Sequence, residues 1–188
     1  MKDISDLEII ESVKNGNHSD YSLLIDRYKN RAFSMLKKML RNEMDAEEVL
    51  QDCFLKAYSG LKNFRSEAKF STWFYRIVYN TALTRISAKR RQTENEMSSI
   101  DDLPELKSND DYESSEKKDI SKFINDTIDQ LPPKYATVIN LFYIDGMSCE
   151  EVSEIMNIGV PNVKVILHRS RNALKDLLIA RNYVMEIL

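Results

Sequence analysis

The side chains best suited to binding a charged partner lie near the C-terminus, on one predicted helix. Residues 163 to 181 hold five basic side chains and one acidic side chain. Four side chains recur there at intervals of four, three and four residues, which places them on one helix face: Lys164, His168, Arg171 and Lys175. Such a face can reach phosphates and base edges in a DNA major groove. A solvated surface helix is the alternative interpretation.

A second group mixes aromatic rings with basic side chains in the segment LKNFRSEAKFSTWFYRIVYN. Exposed rings can stack on unpaired bases, each stack contributing roughly 1 to 3 kcal/mol, while the cations follow the phosphate backbone. Core packing is the alternative, and the pattern favours it for Phe70 and Trp73. Phe64, Tyr75 and Tyr79 are predicted to be exposed for contact.

A third group consists of carboxylates near the start of a predicted helix: Asp45, Glu47, Glu48 and Asp52. Their position explains them as helix caps and a solvated face, and an enzyme using them is the weaker hypothesis. The sequence has no glycine-rich phosphate loop, no GxSxG, no HExxH and only two histidines. We therefore expect no enzymatic activity, no cofactor and no metal.

The composition is that of a globular intracellular protein, with 188 residues, 43% of them hydrophobic and 30% charged. Cys53 and Cys149 are far apart and form no CxxC pair, which argues against a disulfide framework or a zinc site. The N-terminus places acids where a signal peptide needs basic or apolar residues, and no stretch approaches about 18 apolar residues. We expect a cytoplasmic protein without membrane insertion.

The elements that must position these groups are predicted to be helices. Four glycines and four prolines are too few for a sandwich or barrel. Apolar residues recur at three- and four-residue spacings through most of the chain. Asp45 is expected to cap the third helix, and Ser148 with Glu151 forms a capping box. The short helix from Ser148 ends at Asn157, and the next helix follows after a turn, which is helix-turn-helix spacing.

The net charge of −3 is unevenly distributed along the chain. Residues 1–92 carry 17 basic and 12 acidic side chains, residues 93–120 carry 3 and 10, and residues 121–188 carry 7 and 8. The middle part has few large apolar groups and cannot bury enough surface to become ordered. The predicted fold is therefore all-α, with two small helical domains joined by an acidic flexible linker.

These features, in this order, resemble the extracytoplasmic-function (ECF) sigma factors of the sigma-70 family. DAEEVLQDCFLKAY resembles the family's polymerase-binding helix, FSTWFYRIVYNTALTR its promoter-melting helix, and LPPKYATVINLFYIDGMSCEEVSEIMNIGVPNVKVILHRSRNAL its region four. The resemblance implies a non-enzymatic factor that binds core RNA polymerase, recognises promoter DNA and promotes transcription initiation. Residues 1–92 would be region two, a four-helix domain, and residues 121–188 region four.

The resemblance also implies roles for particular residues. The clamp helices of the polymerase's largest subunit would bind Asp45, Glu48, Val49, Gln51, Asp52 and Phe54. The minus-ten element would contact Lys62, Phe64, Arg65, Lys69, Tyr75, Arg76, Tyr79, Asn80 and Arg85. The minus-thirty-five element would face Asn162, Lys164, Val165, His168, Arg169 and Arg171. The polymerase flap and an anti-sigma factor are further expected partners.

Three departures from the family pattern affect how DNA would be recognised. Pro161 and Asn162 stand where Gly-Thr is frequent, and Val165 and Ile166 stand where Ser-Arg is frequent. Thr84 occupies a position where the family often has an acid. Direct base recognition is therefore expected to be less polar here. The alternative function is a helix-turn-helix regulator that binds duplex DNA without being a polymerase subunit.

Overall fold

The computed structural model describes residues 4–65, 68–97 and 116–180, and the side chains of all these except 94–97 and 116–121. Eight α-helices account for most of them: α1 Asp6–Lys14, α2 Tyr21–Leu40, α3 Glu43–Gly60, α4 Phe70–Met97, α5 Glu116–Asp129, α6 Pro133–Ile139, α7 Cys149–Met156 and α8 Val160–Ala180. Short 3-10 turns precede α2 and follow α3, and a π-helical segment, Asn140–Ile144, continues α6. The described residues contain no strand, so the all-α prediction is confirmed.

Helices α1 to α4 form an N-terminal unit around an aromatic cluster. The rings of Phe54 and Phe74 stack with centroids 4.8 Å apart, and Phe70 stacks on Phe74 at 5.8 Å. Tyr28 of α2 meets the edge of Phe70 at 5.3 Å. Because these rings come from α2, α3 and α4, their contacts fix the three helices relative to one another.

The cap of α3 differs from the prediction. Asn42 has extended backbone angles, and its side-chain oxygen accepts a hydrogen bond of 2.9 Å from the backbone amide of Asp45. The prediction that Asp45 caps this helix is therefore wrong, because Asn42 already occupies the N-cap position three residues earlier. Asp45 lies within the first turn, and its carboxylate is directed to α4 instead.

Helices α5 to α8 form a C-terminal unit that contains the predicted helix-turn-helix. The capping box of Ser148 and Glu151 opens α7, and Asn157 ends it in the left-handed conformation with φ 52°. Helix α8 starts three residues later and buries Val163 and Leu167. The predicted capping box and the predicted helix end at Asn157 are confirmed. Both could be predicted because each depends on residues within one turn of the helix end.

The two units share one buried apolar cluster. Val138 and Leu141 of the C-terminal unit and Val152 and Ile155 of α7 belong to the same cluster as the core of α1 to α4. The predicted boundaries of the two domains, at residues 92 and 121, remain predictions. Of the predicted linker, residues 98–115 lie outside the described part of the chain, while the flanking residues extend α4 and begin α5.

The cap of α3 can be tested by mutation. Asn42→Ala removes the acceptor for the Asp45 amide and should lower the free energy of unfolding by about 1 kcal/mol. Asn42→Asp keeps an acceptor oxygen and should retain most of the stability. The measurement is urea denaturation of both variants. Equal losses for the alanine and aspartate variants would contradict the capping role.

Candidate functional site

The six residues predicted on α8 form one exposed surface. Asn162, Lys164, Val165, His168, Arg169 and Arg171 are all exposed. They lie opposite the buried side chains of Val163, Leu167 and Ser170, so the helix-turn-helix presents them outward. Val165 is 47% exposed and gives this surface an apolar patch suited to a thymine methyl group. The structure therefore brings this predicted site together in full.

The loop before α4 presents cations but no free aromatic ring. Lys62, Arg65 and Lys69 are exposed. Phe64 is only 6% exposed because its ring packs 5.2 Å from Trp73 and 6.0 Å from Phe70. The prediction that the Phe64 ring is exposed is therefore wrong, and the ring anchors the loop to α4.

Along α4, three of the predicted contact residues lie at the surface or near it. Arg76 and Asn80 are exposed and Tyr79 is half-buried, at spacings that place them on adjacent positions of one face. Burial raises the pKa of the Tyr79 hydroxyl, which stays protonated and able to donate. These three residues form one accessible surface of α4.

Tyr75 does not belong to this surface. It is 1% exposed, and its hydroxyl donates a 3.3 Å hydrogen bond to Oδ1 of Asp145 in the C-terminal unit. The prediction that its ring is exposed is wrong for this arrangement, because the C-terminal unit covers it. Sequence periodicity could not reveal this contact, since Asp145 lies 70 residues away.

The outer face of α3 carries the exposed members of the predicted polymerase-binding set. Glu48, Gln51 and Asp52 are exposed, whereas Val49 and Phe54 are 3% and 8% exposed and belong to the core. The prediction that Val49 and Phe54 lie on the contact surface is therefore wrong. Helical periodicity explains the difference, because both positions fall on the apolar stripe that faces the other helices.

Two apolar residues on the same face were missed by the sequence interpretation. Met44 is 81% exposed and Leu55 is 67% exposed. They stand four residues before Glu48 and three after Asp52, so one helix face carries all of them. Helical periodicity could have revealed them, because Met44 and Leu55 fall outside the apolar stripe of α3 that faces the core. Large exposed apolar side chains interleaved with acids are typical of a protein-binding surface.

Asp45 and Arg85, predicted to contact different partners, bind each other. Arg85 donates from Nη2 to Oδ1 of Asp45 at 2.9 Å and from Nη1 to Oε1 of Glu48 at 3.3 Å. Lys89 also pairs with Asp45, which is 7% exposed. Burial acts to raise the pKa of Asp45, but the hydrogen bonds from Lys89 and Arg85 outweigh it and lower the pKa. This network joins α3 to α4.

Two of the carboxylates near the start of α3, Asp45 and Glu48, are thus engaged as ion-pair partners. In the described part of the chain, no group of three or more His, Cys, Asp or Glu side chains is arranged to hold a metal ion. Cys53 is buried, and its burial raises the thiol pKa to about 11. Among the same residues, no helix has the length and apolar character needed to cross a membrane.

Comparison with known proteins assigns both units. Residues 24–92 match the family model for Sigma-70 region 2, and residues 124–174 match that for Sigma-70, region 4. The ECF RNA polymerase sigma factor SigW of Bacillus subtilis is 36% identical over 173 residues, which cover 88% of this chain and 92% of that protein. The ECF RNA polymerase sigma-E factor of Haemophilus influenzae is 31% identical over 180 residues, covering 92% and 95%.

A solved structure has the same fold. The sigma factor RpoE of Bartonella quintana, in complex with the anti-sigma factor NepR, superposes with a TM-score of 0.67. The superposition covers 85% of this chain and 96% of that one at 18% identity.

The ion-pair network between α3 and α4 predicts a pH-dependent effect. Arg85→Met leaves Asp45 with Lys89 alone, and should lower Tm at pH 7 by about 2 to 4 °C. Because the pKa of Asp45 is lowered in the folded state, this stabilisation exists above the unfolded-state pKa of about 3.9 and is lost as pH falls further. The Tm difference should therefore shrink below pH 4.

Thermal denaturation between pH 3 and pH 8 measures this effect. Arg76→Met is the matched control, an exposed arginine on the same helix, and should leave Tm nearly unchanged at every pH. A Tm loss for Arg85→Met that is as large at pH 3 as at pH 7 would assign the effect to packing of the arginine stem.

Proposed function

Because the chain belongs to the ECF sigma factors of the sigma-70 family, we propose that it directs core RNA polymerase to promoters through three surfaces. It binds core polymerase, recognises promoter DNA and promotes transcription initiation. The observation that carries this function is the joint presence of a region 2 unit and a region 4 unit in one chain. A regulator that binds duplex DNA by its helix-turn-helix alone has no use for the first unit.

The first surface is the outer face of α3, for core polymerase. Glu48 and Asp52 supply negative charge, and Met44 and Leu55 supply exposed apolar area. A partner with basic and apolar groups on a helical surface would complement both features. The resemblance to the family assigns this role to the clamp helices of the largest subunit. Gln51 lies between the acids and adds a neutral hydrogen-bonding group.

The second surface would contact the minus-ten element. The loop before α4 exposes three cations, Lys62, Arg65 and Lys69. Helix α4 adds the exposed Arg76 and Asn80 and the half-buried Tyr79. Cations positioned along a strand bind its phosphates, while amide and phenol groups can hydrogen-bond to unpaired bases. This combination supports binding to a separated strand.

The third surface is the exposed face of α8, for the minus-thirty-five element. Lys164 and Arg169 can reach phosphates or guanine edges, and Val165 provides an apolar contact. This surface and the minus-ten surface belong to one chain. Their joint affinity exceeds that of each alone because the second contact becomes intramolecular once the first has formed.

An apolar groove between the C-terminal unit and Ser34 of α2 supports a second contact with polymerase. It has a volume of about 560 Å³ and is lined mostly by apolar side chains of α5, α6, the π segment and α8, among them Ile124, Tyr143, Ile144 and Leu174. Asn125 and Arg171 add polar groups to its lining. Ile124, Tyr143 and Ile144 are each more than 40% exposed. An apolar groove between helices fits the apolar face of a partner helix. We assign it to the polymerase flap, which the resemblance implies as a partner.

The protein acts as a binding factor and not as an enzyme in this proposal. The carboxylates Asp45 and Glu48, which an enzyme would need free, are bound by Arg85, and Asp45 also by Lys89. We further propose an anti-sigma factor as a partner and the cytoplasm as its location, since polymerase and chromosome are found there. The anti-sigma complex of the Bartonella quintana sigma factor supports the first of these.

Charge reversal on α3 tests the polymerase surface. Asp52→Lys should weaken the complex with core RNA polymerase roughly tenfold or more, because a repulsive pair replaces an attractive one. Glu11→Lys is the matched control, an exposed acid reversed on α1, and should bind core polymerase as the parent does. Native gel filtration and titration with core polymerase measure both. Parent-like binding by Asp52→Lys would reject the α3 assignment.

Alanine substitutions on α8 test the upstream contact. Lys164→Ala and Arg169→Ala should each reduce transcription from promoters that carry an upstream element. Each lost phosphate contact should also reduce the slope of log binding constant against log salt concentration by about one, because one counterion fewer is released. The measurements are run-off transcription and footprinting of the holoenzyme at several salt concentrations. Lys134→Ala on α6 is the control for an exposed lysine outside the surface. Unchanged start-site selection in both α8 variants would show that α8 does not bind the promoter.

A further inference from the structure

The loop before α4 is held from α1 as well as from α4. Lys14, in the last turn of α1, donates a 2.8 Å hydrogen bond from Nζ to the backbone oxygen of Phe64. The two residues are 50 positions apart, so this is a tertiary contact. The carbonyl belongs to the peptide bond that joins Phe64 to Arg65. Lys14 therefore holds the backbone at the point where Arg65 begins.

Helix α1 is anchored well enough to serve as a fixed support for this contact. Its apolar stripe, Ile9, Ile10 and Val13, is at most 5% exposed. In its first turn, Asp6 forms an ion pair with Arg27 of α2. Because both ends of α1 are fixed on the N-terminal unit, a hydrogen bond from its last turn can restrain the loop.

The aromatic contacts of the loop do not by themselves orient its backbone. The ring of Phe64 packs 5.2 Å from Trp73, but each residue keeps two freely rotating backbone dihedrals. The Phe64 amide donates a 3.1 Å hydrogen bond to the carbonyl of Leu61, which holds the peptide group before the ring. Lys14 holds the peptide group after it. The loop backbone is thus fixed on both sides of Phe64.

Two cations of the minus-ten surface, Lys62 and Arg65, lie on either side of Phe64 and are exposed. We propose that Lys14 is a positioning residue for promoter DNA, which holds the loop so that both cations face the separated strand. The inference rests on the proposed function, because it concerns how that function's minus-ten surface is oriented. A loop that is already ordered loses less conformational entropy when the strand binds.

The sequence gave no indication of this role. None of the predicted contact residues lies on α1, and Lys14 precedes the residues, 24–92, that match the region 2 model. A lysine in the last turn of a helix is also explained by the helix dipole alone. Only the tertiary contact with the Phe64 carbonyl distinguishes it from other exposed lysines.

A direct contact between Lys14 and DNA is the competing explanation. Lys14 lines a groove of about 630 Å³ beside the loop, together with His18, Tyr58 and Lys62. Its ammonium group has three donors, and the Phe64 carbonyl uses one of them. A phosphate contact would release a counterion, whereas a hydrogen bond to a backbone carbonyl releases none. The salt dependence of DNA binding therefore separates the two roles.

Three substitutions at Lys14 test the hydrogen bond. Lys14→Met keeps the side-chain stem without a donor, Lys14→Gln has a neutral donor on a shorter stem, and Lys14→Arg keeps both charge and donors. Lys29→Met is the matched control, an exposed lysine of α2 that pairs with Asp26 of its own helix. Because Lys14 and Lys29 are exposed, all four variants should fold, and thermal denaturation checks this.

Open-complex formation by the holoenzyme, on a promoter located by footprinting, is the main measurement. Lys14→Met and Lys14→Gln should lower the equilibrium constant for opening roughly three- to tenfold, because the loop must be ordered on binding. Lys14→Arg and Lys29→Met should stay close to the parent. The slope of log constant against log salt concentration should be unchanged in Lys14→Met, and smaller by about one in Lys62→Ala. Affinity for core polymerase should be the same in all variants.

Amide hydrogen exchange of the free chain tests the contact without DNA. The backbone amides of Phe64 and Arg65 should exchange faster in Lys14→Met than in the parent, because the loop opens more often when the Lys14 bond is absent. Lys14→Arg should restore the parent rates. The amides of α2 should exchange alike in the parent and both variants.

The outcomes separate the positioning role from its alternatives. Parent-like opening by Lys14→Met, or an equal loss in Lys14→Arg, would overturn the role. A salt slope smaller by about one in Lys14→Met would overturn it too, and would assign Lys14 a direct phosphate contact. Failure of the parent chain to form a polymerase complex would instead reject the proposed function, and the exchange rates would then decide whether Lys14 holds the loop.

Discussion

The aromatic cluster beneath the first turns of α4 is the packing contact on which the rest of the structure depends. Phe74 stacks on both Phe54 and Phe70, and so joins α3 to α4. Phe64 and Trp73 extend the cluster to the loop before α4. Since buried rings of this size contribute much of the core's apolar area, their contacts fix where the loop cations and the exposed face of α3 are presented.

Charge is arranged so that opposite signs serve different surfaces. Acids on α3 are exposed or paired with Arg85 and Lys89, and the cations of the loop and of α8 are exposed. In our proposal the exposed acids face polymerase and the cations face DNA. The net charge of −3 is therefore an average over surfaces of opposite charge. Because a net charge of −3 gives little long-range attraction to DNA, we expect promoter binding to depend on further contacts that polymerase supplies.

The sequence predicted the helices and the α8 surface well, and the buried contacts of α4 poorly. Capping boxes and a left-handed Asn157 involve residues within one helical turn, so local patterns are enough to find them. The α8 residues lie opposite an apolar stripe that periodicity reveals directly. Phe64 and Tyr75 also lie in an aromatic and basic segment, but periodicity does not say which rings a distant helix covers. Asp145 covers Tyr75 from 70 residues away.

By itself, the sequence determined the all-α fold, the helix-turn-helix and the residues on its exposed face. These follow from hydrogen-bonding and apolar patterns with a period of one helical turn. Only the tertiary structure decided that Asp45 pairs with Arg85 and that Val49 and Phe54 are buried beneath the exposed face of α3. It also decided that the Tyr75 hydroxyl donates a hydrogen bond to Asp145 of the C-terminal unit. Such contacts join residues far apart in the chain, and their partners are chosen by packing and by the need to satisfy buried polar groups.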